Sequence, residues 1–110
     1  MHEFSITQKL LDVALTKAKS RRIVNVNLLI GSFSQEREES IQFYWSDLAK
    51  DTLARDAELH FQRVEAEMKC LECGTIFYPE EETSMCPQCF SHRLKLLSGD
   101  DVRLDSIDVE

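Results

Sequence analysis

The sequence predicts an α+β fold in which two helices lie on a small three-stranded sheet, with a module of β-hairpins inserted before the last strand. Three observations support this class: two amphipathic helical patterns, apolar alternation in three further segments, and four cysteines in two Cys-x-x-Cys pairs. With 110 residues, the chain has room for one ordinary domain that carries a small metal module.

The first helix is predicted from Ser5 to about Lys19. Ser5-Ile6-Thr7-Gln8 fits a capping box, in which side chains satisfy backbone N–H groups at a helix start. Apolar residues recur at helical spacing along this segment: Ile6, Leu10, Leu11, Ala14, Leu15 and Ala18. The second helix is predicted from about Glu36 to Thr52, with acidic residues in its first turn that suit a helix N-terminus. Its apolar stripe comprises Ile41, Tyr44, Trp45, Leu48 and Ala49.

Three strands are predicted from apolar alternation. The first, Arg22 to Ile30, ends at Gly31 and places four aliphatic residues on one face: Val24, Val26, Leu28 and Ile30. The second, Ala57 to Glu65, turns Leu59 and Phe61 inward and His60 toward solvent. The last carries Val102 and Leu104 and then shifts phase to Ile107 and Val109, which predicts a bulge near Ser106. Because short apolar strands need neighbours, we expect the last strand to rejoin the first two in one sheet.

The cysteines form two matched corners, with twelve residues between the pairs: Cys70, Cys73, Cys86 and Cys89. Two such corners can bring four thiolates into one tetrahedron at ~2.3 Å from Zn²⁺. Gly74 permits a tight turn after the first pair and Pro87 stiffens the second, so the module is predicted to be a zinc ribbon. The main domain is then discontinuous, with residues 1–68 and 98–110 forming the α/β domain and residues 69–97 the ribbon.

A closed site with four thiolates has no open coordination position, so we expect it to stabilise the fold and not to catalyse a reaction. Rubredoxin-like iron, with a role in electron transfer, is the alternative metal, and a colourless purified protein would exclude it. No nucleophile, base and orienting group can be identified together, so no enzyme activity is expected.

The charge balance limits the partners. There are 20 acidic and 13 basic residues, a net charge of −7, which argues against nucleic acid as a partner. A zinc-ribbon interaction module in a nucleic-acid complex is the alternative function, and the negative charge disfavours it.

The sequence contains no run of ~18 apolar residues, so no membrane-spanning helix is expected. Its start does not fit a signal peptide, and cytosolic thiols stay reduced. We therefore expect a cytoplasmic protein.

The opening Met1-His2-Glu3 is the other candidate for metal chemistry. A free α-amine and an imidazole one residue apart can chelate a cation together with the intervening peptide nitrogen. Nitrogen-rich, square-planar coordination suits Ni²⁺ or Cu²⁺. From these residues alone, however, an ordinary exposed histidine is the better interpretation.

Further motifs follow in order along nearly the whole chain: Met-His-Glu-Phe-Ser-Ile at the start, Gly31 after the first strand, Glu39-Ser40-Ile41 opening the second helix, the two cysteine pairs, and Gly99-x-x-Val102-x-Leu104-x-Ser106-Ile107. In this combination the sequence resembles the HypA/HybF family of hydrogenase-maturation nickel metallochaperones. The resemblance implies a non-enzymatic carrier that delivers Ni(II) to the [NiFe]-hydrogenase active site. It also implies structural Zn(II) at the four cysteines.

The resemblance places nickel at the N-terminal amine of Met1, at His2 and at the backbone of Glu3, with Glu38 the nearest match to an extra acidic residue of some members. It implies the GTPase HypB and the hydrogenase large subunit as partners, with urease maturation factors as further candidates. We expect neither nucleic acid nor membrane binding, and a monomer or weak homodimer. Phe90 departs from the family's usual glycine, which puts that knuckle's turn in question. His92 is a candidate for tuning the zinc site, although an ordinary ribbon residue is the better interpretation.

Overall fold

The structure is a computed structural model that describes residues 2–79 and 85–110, with the backbone alone for residue 2. Within this part of the chain, two helices and six strands occur in the order α1 (His2–Ala18), β1 (Ile23–Gly31), α2 (Glu38–Leu48), β2 (Glu58–Val64), β3 (Glu67–Cys70), β4 (Ile76–Phe77), β5 (Leu94–Ser98) and β6 (Val102–Val109). The strands form two three-stranded sheets, ordered β2-β1-β6 and β4-β3-β5. The predicted α+β class is confirmed, as is the return of the last strand to the first two.

Helix α1 begins three residues earlier than its sequence signal indicates. The predicted capping box at Ser5 is wrong, because Ser5 lies inside the helix, which already starts at His2. Thr7 is buried, and its hydroxyl donates a hydrogen bond to the carbonyl of Glu3 four residues back. The helix ends where Lys19 and Ser20 adopt positive φ angles of 50° and 68°, a conformation that no helix continues through.

Helix α2 ends at Leu48, four residues before the predicted Thr52. Thr52 accounts for the difference, because its hydroxyl donates to the carbonyl of Ala49 at 2.8 Å and accepts from the N–H of Ala54 at 3.0 Å. A hydroxyl that bonds locally in this way competes with the helical ladder, and the chain continues in turns up to Asp56.

The strands show the predicted alternation with one exception. The pattern places Val24 on the buried face of β1, but this residue is 41% exposed, and Ile23 is fully buried in its place. In β2, Leu59 and Phe61 are half-buried and His60 is exposed, as predicted. In β6 the phase shift is confirmed, since Asp105 and Ser106 are both exposed between half-buried residues. The bulge proposed to cause it stays a prediction.

The core lies where α1 contacts α2 and β6. It contains most of both predicted helical stripes, residues of β1 and Ala54: Leu10, Leu11, Ala14, Ala18, Ile23, Val26, Leu28, Ile41, Trp45, Ala49 and Ala54. Ile6, Leu15 and Leu48 of the predicted stripes are partly buried against this core, and Tyr44 is half-buried. The opposite face of the sheet β2-β1-β6 is polar. There Asn25 lies 2.9 Å from the Nε2 of His60 and donates to Asp108 at 3.3 Å. The helices therefore cover one face of this sheet, and hydrogen-bonded side chains cover the other.

Two compact units divide the chain, each assembled from separate segments. The first comprises Met1–Leu29, Glu36–Gln62 and Val102–Glu110, and the second comprises Ile30–Gln35 and Arg63–Asp101. The second unit contains the cysteines and is larger than the ribbon of residues 69–97. The predicted boundaries of the α/β domain (residues 1–68 and 98–110) and of the ribbon (residues 69–97) stay predictions. None of the described helices has the length and apolar character needed to cross a bilayer.

Backbone segments pack very closely within the second unit, at two glycines. A Cβ atom on Gly31 would lie 2.2 Å from the carbonyl carbon and oxygen of Gly99, and one on Gly99 would lie 2.4 Å from the Cα of Ala66. Hydrogen bonds of 2.8 Å hold this junction, from the N–H of Gly31 to the carbonyl of Asp101 and from that of Phe33 to the carbonyl of Gly99. Only residues without a side chain fit at these two positions.

Candidate metal centre

The four cysteine sulfurs converge on one point in the second unit. All four lie within 4.8 Å of one another, and the Sγ–Sγ distances are 3.5 Å for Cys70 and Cys89 and 3.7 Å for Cys73 and Cys86. A tetrahedron with ~2.3 Å metal–sulfur bonds has its sulfurs roughly 3.8 Å apart, whereas a disulfide requires about 2.05 Å. The cysteines are free thiols, spaced to hold one metal ion.

Each cysteine pair lies in a turn of the same backbone geometry. In the first, the N–H of Gly74 donates to the carbonyl of Cys70 at 3.0 Å, and in the second the N–H of Phe90 donates to that of Cys86 at 2.9 Å. The φ angles match as well, at 79° for Gly74 and 63° for Phe90. The replacement of glycine by Phe90 therefore leaves the turn unchanged, although a side chain in this conformation costs ~1–2 kcal/mol.

Backbone N–H groups point at the sulfurs within these turns. Cys73 donates to the Sγ of Cys70 at 3.5 Å, and Gln88 donates to the Sγ of Cys86 at 3.3 Å. Such bonds stabilise a thiolate over a thiol. Cys70 and Cys86 are buried, while Cys73 and Cys89 are exposed, so the cluster lies at the surface with one ligand of each pair inside.

Cys70, Cys73 and Cys89 differ in how readily they lose a proton. The N–H of Cys73 lowers the pKa of Cys70, and the Thr75 hydroxyl, 3.1 Å away, lowers the pKa of Cys73 to about 6. At Cys89 the N–H of Ser91 lowers the pKa, but lost hydration and the neighbouring sulfurs outweigh it and raise the pKa to about 12. A metal ion that binds all four sulfurs therefore displaces a proton from Cys89 at neutral pH.

The N-terminal candidate site is described in part. Met1 and the side chain of His2 lie outside the described residues, and Glu3 is in the first turn of α1. The Glu3 carboxylate accepts a 2.9 Å hydrogen bond from the N–H of Arg37. This hydrogen bond is the largest cause of the lowered pKa of Glu3, and the Ser40 side chain also lowers it.

This Glu3 contact caps the second helix from a distance. Arg37 is the N-cap residue of α2, and its own side chain makes no capping hydrogen bond. Glu3 supplies a carboxylate there instead, and Phe4 packs edge-to-face on Tyr44 with ring centroids 5.5 Å apart. The structure thus brings the starts of the two helices together. Sequence reasoning missed this role of Glu3, because no local pattern relates residues 34 positions apart.

The remaining predicted residues are placed as follows. Glu38 opens α2 next to Arg37 and is exposed, so it lies one residue from the group that binds Glu3. His92 is exposed, three residues after Cys89. The roles of Glu38 in nickel binding and of His92 in tuning the cysteine site stay predictions. His60 is hydrogen-bonded to Asn25 on the polar face of the sheet.

A small α+β protein with a closed cysteine tetrahedron is a metal-binding protein, and comparison with known proteins gives its family. The model of the family described as "Hydrogenase/urease nickel incorporation, metallochaperone, hypA" matches residues 1–109. The chain therefore belongs to the HypA family of nickel-incorporation metallochaperones, and the resemblance read from the sequence is confirmed. Because the family and the named relatives are metallochaperones and maturation factors, the expectation of a carrier and not an enzyme is also confirmed.

Relatives match along all or nearly all of their length. The hydrogenase maturation factor HypA of Dehalococcoides mccartyi (strain ATCC BAA-2266 / KCTC 15142 / 195) is 35% identical over 113 residues, which cover 100% of this chain and 95% of the relative. That of Caldanaerobacter subterraneus subsp. tengcongensis is 35% identical over 114 residues and covers 100% of both. The solution structure of the Ni metallochaperone HypA from Helicobacter pylori has a TM-score of 0.77 at 23% identity, covering 97% of this chain and 96% of that one. This likeness supports the fold.

Proposed function

We propose that this protein binds Ni(II) at its N-terminus and delivers it for assembly of the [NiFe]-hydrogenase active site, while the four cysteines hold a structural Zn(II). The observation that carries the proposal is membership of a nickel-incorporation family along residues 1–109, a range that includes Met1-His2-Glu3. The amine of Met1, the imidazole of His2 and backbone nitrogen up to Glu3 would form the nickel site.

The position of Glu3 supports a backbone role for this residue. The first four N–H groups of a helix have no acceptor within the helix, and Glu3 lies among them in α1. Its carboxylate is already engaged by the N–H of Arg37. Metal binding by the backbone nitrogen of Glu3 would therefore break no hydrogen bond of the helix.

The charge at the start of a helix also favours this kind of ligand. A helix N-terminus carries roughly half a positive charge, which repels a free dication but stabilises a deprotonated amide nitrogen. Two such nitrogens would neutralise the charge of Ni²⁺. Glu38 and Glu39 are exposed in the first turn of α2 and add negative charge, which is the role we propose for Glu38.

At the cysteines, Sγ–Sγ distances of 3.5 and 3.7 Å suit Zn²⁺, and four sulfurs leave no coordination position for a reaction. In zinc-finger peptides such a site contributes ~10–16 kcal/mol of apparent binding energy. Iron in the same tetrahedron would give a coloured protein, so an absorption spectrum decides between the metals. Reduced thiols agree with a cytoplasmic location, which is part of the proposal.

The partners we propose are the GTPase HypB and the hydrogenase large subunit. Because the family description names urease as well as hydrogenase, the urease maturation machinery is a second destination for the nickel. A monomer or weak homodimer completes the proposal.

The test is metal analysis of the untagged, full-length protein titrated with nickel. Three proteins are compared: wild type, His2→Ala, and His60→Ala as a control for the loss of an exposed imidazole. We expect one zinc in all three and nickel lost from His2→Ala alone. An N-terminal extension, which removes the free amine of Met1, should have the same effect as His2→Ala. Equal nickel binding by wild type and His2→Ala would refute the proposed site.

A further inference from the structure

Two lysines face each other across the strands of the cysteine-containing unit. In the antiparallel pair β3 and β5, Lys69 lies directly opposite Lys95, and on the other side of β3 it lies opposite Ile76 of β4. Residues paired in this way share a face of the sheet, with Cβ atoms ~4.5–5.5 Å apart. Ile76, Lys69 and Lys95 therefore form one row across all three strands, which we call the lysine row.

The lysine row is an exposed surface. Both lysines are exposed and Ile76 is 53% exposed, whereas the neighbouring row of Phe77, Met68 and Leu96 is half-buried. Leu97, where the register between β3 and β5 shifts, is another exposed apolar side chain, at 39%. Positive charge and apolar area thus lie side by side on the outside of this sheet.

The charge of the lysine row is not balanced within the described part of the chain. Neither lysine has an ion-pair partner there, although Arg93 of the same unit pairs with Glu72 at 2.8 Å. Glu67 is two residues from Lys69, but its carboxylate accepts a hydrogen bond from the Tyr78 hydroxyl at 3.0 Å. Like charges directly opposite each other destabilise a sheet, so the row lowers the stability of the unit that carries it.

The cysteine site does not account for this charge. Four thiolates around a dication carry a net charge of −2, and nearby cations would offset it. Cys70, however, is buried, and the adjacent Lys69 is exposed. Since successive residues of a strand point to opposite faces, the lysines and the sulfur of Cys70 lie on different sides of the sheet.

We propose that the lysine row is a docking surface for an acidic segment of a partner protein that also carries apolar side chains. Carboxylates would neutralise the two opposed ammonium groups, and apolar side chains would cover Ile76 and Leu97. Nucleic acid is the other polyanion that opposed lysines could bind, but its phosphates do not match the exposed apolar side chains beside the lysines. This inference does not depend on the nickel site.

The test uses the zinc-loaded, full-length protein and a synthetic peptide of alternating glutamate and leucine, with single-stranded DNA as the second probe. Binding is followed by amide NMR shifts, together with thermal unfolding and zinc content. The informative variant is Lys95→Glu, because it replaces a repulsive cross-strand pair with an attractive one. Lys9→Glu, at an exposed position in α1, makes the same change of charge elsewhere.

We expect the peptide to shift the amides of Lys69, Ile76 and Lys95. Lys95→Glu should weaken peptide binding at least about tenfold while it raises the unfolding temperature and leaves zinc content unchanged. Lys9→Glu should change the peptide affinity by less than about twofold. Three results would overturn the proposal: no peptide binding at the row, tighter binding of DNA there, or loss of zinc and stability in Lys95→Glu.

Discussion

Gly31→Ala is expected to destabilise the second unit strongly, because it adds a methyl group at the glycine junction. The new Cβ would lie 2.2 Å from the carbonyl carbon and oxygen of Gly99, where 3.4 Å is the start of ordinary contact. About 1.2 Å of separation would have to be gained between two backbone segments. Because the obstructing atoms belong to the backbone, no side-chain rotation can relieve the contact.

The cost follows from what such a shift breaks. The N–H of Gly31 donates to Asp101 and that of Phe33 to Gly99, both at 2.8 Å, and the loss of each hydrogen bond costs about 1 kcal/mol. Overpacking of a tightly packed site adds ~1–3 kcal/mol. We therefore expect Gly31→Ala to lower the free energy of unfolding by about 3–5 kcal/mol, a large share of the total for a small domain.

Urea unfolding of the zinc-loaded protein measures this change, and Gly74→Ala is the matched comparison. Gly74 has a φ of +79°, but a methyl group added there would meet no neighbouring atom within 4 Å, so only the strained conformation contributes, at ~1–2 kcal/mol. If Gly31→Ala costs no more than Gly74→Ala, the close approach of the two backbone segments is wrong.

Two further substitutions test the contacts at the N-terminus and at the second knuckle. Glu3→Ala removes the hydrogen bond from Arg37 but not the backbone nitrogen, so thermal stability should fall while nickel stoichiometry stays unchanged; loss of nickel would mean that the carboxylate itself is a ligand. Because the pKa of Glu3 is lowered in the folded state, its contribution is complete at neutral pH and is lost as the pH falls through that lowered pKa, so wild type and variant should converge in acid. Phe90→Gly relieves a left-handed residue that is 67% exposed. Strain relief of ~1.5 kcal/mol less ~0.75 kcal/mol of added backbone entropy should leave zinc bound about three- to fourfold more tightly. Unchanged chelator competition would contradict this.

Periodicity predicted the elements of this fold well where packing on one side decides the conformation. The stripe from Ile41 to Ala49 and the phase shift between Leu104 and Ile107 both lie as the sequence indicates. Local signals were less reliable at the ends of elements. Ser5 fits a capping box, yet α1 begins at His2. The contact that Glu3 makes with Arg37 at the start of α2 is not part of any local cap pattern.

The features of the candidate sites were likewise predicted only in part. The spacing of the cysteines was sufficient to predict their convergence, since each pair lies in one short turn. The turn at Phe90 could not be predicted, because its left-handed conformation is enforced by the hydrogen bonds of Cys86 with Phe90 and Ser91 and not by the residue itself. The lysine row depends on the register between β3 and β5, which no pattern within either strand specifies.

The composition of the second unit limits how this protein can be dissected. Ser32 and Phe33 come from a distant part of the chain, yet they bond to Ala66 and Gly99 inside the unit, at 2.8 Å in each case. A fragment cut at Arg63 and Asp101 would contain all four cysteines but leave the N–H of Ala66 and the carbonyl of Gly99 without these partners. Transplanting the cysteine unit into another protein would therefore require grafting residues 30–35 along with it, as a second, separate piece of chain.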